Sequence, residues 1–148
     1  MKSVDPYLNF NGNTEEAFNF YRSVFGGEFA GVMRWKDMPG GCGANGAPLD
    51  AADSEKIMHI ALPIGGGRIL MGTDSLKSMG HEAVFGTNAH FVLGAESKEE
   101  ADKLYNGLSA GGKATMPMGN TFWGAYYGMF TDKYGVQWMI NYEYPKAA

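Results

Sequence analysis

Apolar and polar positions in this chain follow two periods, and the same succession of periods occurs twice. Tyr7-Leu8-Asn9-Phe10 alternates, which predicts a short strand with Leu8 and Phe10 on the buried side and Tyr7 and Asn9 on the other. Ala17, Phe20, Tyr21 and Val24 then recur at helical spacing. Asn13 precedes them as an N-cap with Glu16 three residues on, and Gly26-Gly27 ends the helix. Further along, His90-Phe91-Val92-Leu93 predicts a strand with Phe91 and Leu93 turned one way and His90 and Val92 the other. Ser97 with Glu100 repeats the cap, Ala101, Leu104, Tyr105 and Leu108 repeat the apolar face, and Gly111-Gly112 repeats the stop. Glu15, Ala17 and Tyr21 are matched by Glu99, Ala101 and Tyr105, an offset of 84 in each case.

Three strand-like runs follow each helix. The first set is Glu28 to Lys36, Lys56 to Ile64 and Arg68 to Thr73, with Gly65-Gly66-Gly67 as the hairpin turn between the last two. The second set is Lys113 to Met118, Ala125 to Thr131 and Val136 to Tyr142, with Asp132 to Gly135 as the corresponding turn. The pattern therefore predicts an α+β fold of two βαβββ modules within a single domain, 1–148. Module one spans about 3–74, the linker 75–88 and module two about 89–143. Met38 to Asp53, rich in Gly, reads as a long loop.

Composition narrows the function classes. The single Cys, Cys42, rules out a disulfide within the chain, and no Cys/His cluster has zinc-finger spacing. A net charge of −4 without any basic run weighs against nucleic acid, whose binding needs a basic face. No apolar run reaches the ~18 residues of a membrane span and the first residues lack a signal-peptide core, so the expectation is a cytoplasmic protein without membrane partners. The 22 glycines are about twice the usual share of ~7%, which suits many tight turns. The 10 methionines are also numerous, and most are expected to fill the core.

Two βαβββ modules with these helix boundaries resemble the vicinal oxygen chelate superfamily of glyoxalase, bleomycin-resistance and extradiol-dioxygenase proteins. Tyr7 to Gly12, Ala17 to Gly27, Ile57-Met58-His59, Leu70 to Asp74, Phe122-Trp123-Gly124 and Asp132 to Trp138 are similar, more narrowly, to its PhnB-like branch. The resemblance implies sheets curled into open half-barrels around a central cavity, and frequent homodimers. It also implies, for the metalloenzymes of the superfamily, four His, Gln or Glu ligands, one from the first and one from the last strand of each module.

Strand parity, with Gly67 to Met71 aligned on Gly135 to Met139, places Tyr7, Met71, His90 and Met139 at those four positions. Two thioethers and a phenol are poor donors for a hard divalent ion, so no metal site is assigned and a divalent cofactor is disfavoured. A glyoxalase-type metalloenzyme thus loses its own site. His90 and His59 remain as catalytic candidates, since imidazole titrates near neutral pH. His81 reads as exposed linker. Cys42 has no adjacent His or Lys to lower its pKa. No glycine-rich strand-to-helix turn on a doubly wound sheet supports methyltransferase activity, a label attached to this branch.

The expected cavity lining is aromatic and sulfur-rich. Tyr7, Trp35, Met71, Met116 or Met118, Trp123 and Met139 supply the apolar walls, and Asn9, His59, His90 and Gln137 the polar groups. Such a pocket suits a planar or amphipathic organic molecule. The expectation is a metal-free protein of the PhnB-like branch that binds a small organic molecule, as a homodimer. The alternative is an enzyme of the superfamily, a metal-dependent lyase, isomerase, dioxygenase or resistance transferase, working through His90 or His59.

Overall fold

A computed structural model provides the structure of residues 1–39 and 48–147. Strand β1 (Tyr7–Phe10) keeps the alternation read from the sequence, burying Leu8 and Phe10 and exposing Tyr7 and Asn9. It begins the first of two units into which the chain divides, Met1–Val84 and Phe85–Ala148. The first continues with α1 (Thr14–Phe25), β2 (Gly31–Arg34), β3 (Ile57–Gly65) and β4 (Arg68–Asp74). The second contains β5 (Phe91–Gly94), α2 (Lys98–Ser109), β6 (Lys113–Asn120), β7 (Ala125–Thr131) and β8 (Gln137–Glu143). The strand orders correspond, β1-β4-β3-β2 and β5-β8-β7-β6. In each, the first strand lies parallel to the last and the other pairs are antiparallel. The α+β reading and the duplicated βαβββ order are therefore correct.

One face of each sheet is covered by its helix, and a strand glycine sets how closely. Thr14, Ala17, Phe18 and Tyr21, at i, i+3, i+4 and i+7, form the buried stripe of α1. A Cβ on Gly72 of β4 would stand 2.6 Å from the Phe18 ring, so only glycine admits this approach. The sequence reading placed Phe20 in that stripe, but Phe20 is half-buried and Phe18 takes the core position. In the second unit Ala101, Tyr105 and Leu108 form the buried stripe of α2, and the Tyr105 ring lies over Gly128 of β7. Trp138 and Ile140 of β8 are fully buried.

The two helices start differently. Ser97 caps α2 as expected, its Oγ accepting from the Glu100 backbone N–H at 3.0 Å. The Asn13 side chain makes no cap hydrogen bond. Asp74, at the end of β4, takes over that role. Its Oδ1 accepts from the backbone N–H groups of Gly12 (3.0 Å) and Thr14 (3.1 Å) and from the Thr14 hydroxyl (2.6 Å), and its Oδ2 from the Ile57 N–H (2.8 Å). The expected cap at Asn13 is thus replaced by a carboxylate from the far end of the unit.

Other boundaries shift as well. Strand β2 is shorter than Glu28 to Lys36 because its register breaks between Met33 and Arg34, and the chain enters a 3-10 turn at Trp35–Asp37. Residues 75–84 belong to the first unit instead of a linker. Leu76 is buried, a second 3-10 turn covers Lys77–Met79, and the Asn11 side-chain amide bonds both N–H and C=O of Ala83. The β3–β4 turn uses positive φ at Gly65, Gly66 and Gly67 (100°, 58° and 71°), a path that suits residues without a Cβ. Part of the loop Met38 to Asp53, including Cys42, lies outside the described residues. None of the ten methionines is in the buried core, so the expectation of core filling fails. Among the described residues no helix is long and apolar enough to cross a membrane.

Candidate functional site

Each sheet has a second face that its helix does not cover, and the residues assigned to a site fall there. On the first unit, Tyr7 pairs with Met71 and Met71 with Ala61, while Asn9 pairs with Thr73. Parity sends these side chains to the side opposite α1. Tyr7 is 44% exposed and its hydroxyl lies 3.3 Å from His59 Nδ1, with the two rings 5.8 Å apart. Partial burial pushes the Tyr7 phenol above its ordinary pKa, and a hydrogen bond with Thr73 opposes this in part. Tyr7 is therefore a neutral hydrogen-bonding group. The Thr73 hydroxyl donates to the Met58 carbonyl at 2.7 Å.

A cleft of about 330 Å³ opens beside this pair, lined among others by Tyr7, Asn9, Trp35, Met58, Met79 and His81. The Trp35 indole N–H donates to the Asp74 carbonyl at 3.3 Å, which fixes the ring at the wall. Sequence reasoning found Tyr7, Asn9 and Trp35 but treated the segment after β4 as linker, and so missed Met79 and His81. The signal was present: Leu76 and Met79 are spaced for one turn and Gly80 follows them. Met71 and His59 flank Tyr7 without lining the cleft. A second cleft, of about 300 Å³, is polar and includes Glu15, Arg34, Glu55 and Lys56. Its charges are already paired, Arg34 with Glu15 and Glu55, and Lys56 with Asp53.

On the second unit the open face carries Met139 in β8, paired with Val92 of β5 and Met129 of β7. His90 is half-buried and immediately precedes β5, two residues before the partner of Met139. The first unit pairs Tyr7 with Met71 directly, so the position matching Tyr7 beside Met139 is Val92 and not His90. The Gln137 side-chain N–H donates to the Ala89 carbonyl at 2.7 Å. Trp123 stands in the β6–β7 turn, 59% exposed, against Phe122 and Tyr127.

These donors do not fit a hard divalent cation. The paired positions hold Tyr7 with Met71 and Val92 with Met139, and among the described residues no group of three or more His, Cys, Asp or Glu could hold a metal ion.

The duplicated order, the parallel first and last strands and the uncovered faces coincide with a match to known proteins. The model of the Glyoxalase/Bleomycin resistance protein/Dioxygenase superfamily matches residues 3–140. The chain belongs to that superfamily. It is PhnB-like: the PhnB protein from Bacillus cereus is 27% identical, with a TM-score of 0.72 over 95% of this chain and 99% of that one. Protein PA1353 from Pseudomonas aeruginosa is 37% identical, with a TM-score of 0.80 over 97% of this chain and 98% of its own. Protein YjdN from Escherichia coli (strain K12) is 33% identical over 142 residues, 93% of each chain.

Proposed function

We propose that this PhnB-like chain binds a small planar or amphipathic organic molecule, without a catalytic metal, in the cleft walled by Tyr7 and Trp35. The cleft carries the reading. Its volume of about 330 Å³ lies at the lower end of ligand pockets, and it joins aromatic and thioether walls to a few polar groups, Asn9, His81 and the Tyr7 hydroxyl. Trp123, Gln137 and Met139, with His90, offer a further contact surface on the second unit. The protein acts in the cytoplasm as a homodimer. Short edge strands such as β2, where Val32 is 48% exposed, give a second copy backbone to pair with.

Tryptophan fluorescence and thermal-shift screening of aromatic compounds test the binding. A ligand should quench Trp35 and raise the melting temperature, and Trp35→Ala should remove both effects. Elemental analysis after dialysis should find no stoichiometric Zn, Ni, Mn or Fe, and finding one would overturn the metal-free reading. Light scattering should give twice the 16.0 kDa chain mass.

One contact favours a second reading, an enzyme that moves a proton through the Tyr7 hydroxyl and His59 Nδ1, 3.3 Å apart. Turnover of a screened ligand that is lost in both Tyr7→Phe and His59→Gln supports it. Binding without turnover supports the first.

A further inference from the structure

The methionines left out of both cores are not scattered evenly. Three occupy one row across the uncovered face of the second sheet, where Met116 of β6 pairs with Met129 of β7 and Met129 pairs with Met139 of β8. Directly paired residues share a face and hold their Cβ atoms about 4.5–5.5 Å apart, so Met129 has a thioether neighbour on each side. The register shift between Met116 and Gly119 sorts the nearby methionines. It turns Met118 to the helix side, where its sulfur would lie 2.6 Å from a Cβ on Gly128, and leaves Met116 with Met129 and Met139. Met116 is 44% exposed and the other two are half-buried, so none of the three side chains is sealed in the core.

We infer that the row Met116, Met129 and Met139 binds one soft monovalent metal ion, Cu(I), through three thioethers. Thioethers are soft, neutral donors that select Cu(I) and bind hard divalent ions weakly. The unbranched, three-torsion side chain lets sulfurs from adjacent strands converge without moving the backbone. The flanking rows on this face carry Lys113, Thr131 and Gln137 on one side and Tyr127 with Asn141 on the other, so no carboxylate for a hard ion stands beside the methionines, and the Lys113 cation pairs with Thr131 rather than with a methionine. The inference does not rest on the organic-ligand cleft, which lies on the first unit, and shares only Met139 with the further contact surface proposed on the second.

The test titrates the full-length chain with Cu(I) under anaerobic conditions against a chromogenic Cu(I) chelator. A Cys42→Ser background removes the competing thiol. Ag(I), a redox-inert substitute, is followed in parallel by the methyl resonances of 13C-methyl methionine. One equivalent should bind, and the methyl signals of Met116, Met129 and Met139 should shift together while the other seven stay in place. Met129→Leu and, separately, the more exposed Met116→Leu should weaken binding by at least about tenfold, the least that disturbing a metal site's support costs. Met33→Leu, on the first unit, should bind as the parent does. Absence of binding, shifts spread over all ten methionines, or unchanged affinity in Met129→Leu with an intact melt would each overturn the site.

Discussion

The two units share element order and strand order, yet each is tied together by a buried aspartate in its own way. Asp74 gathers donors from Gly12, Thr14 and Ile57, up to 62 residues away in sequence. Asp132 gathers them from Tyr134, Val136 and the Trp138 indole, all within six residues. The first unit thus closes its helix start, its central strand and its last strand on one carboxylate. The second divides the same work between a local turn at Asp132 and a local cap at Ser97. One topology can therefore be held by long-range or by short-range polar contacts, and the two should respond differently to substitution.

The largest expected effect is at Asp74. Asp74→Ala strands several buried donors at once, and at about 1–3 kcal/mol for each it should cost about 3–5 kcal/mol, a large part of a domain's stability. Asp132→Ala should cost less, about 2–3 kcal/mol, because it strands two buried donors, the Val136 N–H and the Trp138 indole N–H, where Asp74 holds three. Urea melts of the two variants decide the order, and an Asp132→Ala loss equal to or larger than that of Asp74→Ala would remove the contrast.

A smaller effect tests the helix starts themselves. Ser97→Ala should cost about 1 kcal/mol, the usual value of an N-cap. Asn13→Ala should change stability by less than about 0.5 kcal/mol, because its side chain caps nothing. Equal losses in paired melts would mean that Asn13 does cap α1.

The smallest effect is at high pH. The Tyr126 hydroxyl donates to Asp102 at 2.6 Å, and that bond, followed by burial, pushes the phenol pKa up to about 12. A raised folded-state pKa favours the protonated form. Its contribution is complete below the ordinary value near 10 and is lost as pH rises from there through about 12. Tyr126→Phe should lower stability at neutral pH by about 1 kcal/mol, discounted for solvent screening, and should flatten the alkaline decline. Denaturant melts at about pH 8 and about pH 11 measure both, and parallel declines for parent and variant would assign the alkaline loss to other groups.

Much of this architecture was legible in the residues because it rests on local periods. The alternation at Tyr7 to Phe10, the helical stripe at Ala101, Tyr105 and Leu108, the glycine stops and the Ser97 cap each depend on neighbours a few positions away. The duplicated pattern settled the fold class, since two βαβββ runs bury their apolar faces well in few other ways. The candidate site was legible as far as strand parity reached. Tyr7 and Asn9 were assigned to the open face because neither needs a distant partner to point there.

What the local pattern left open, the tertiary structure decided. Whether Phe18 or Phe20 enters the core depends on Gly72 lying beneath α1, and the cap of α1 depends on Asp74 arriving from β4. Register shifts next to Met33 and Met116 carry Trp35 out of its strand and place three methionines in one row. A period describes one strand by itself. Register, bulges and buried hydrogen bonds join residues far apart in the chain, and so arise only when the strands pair.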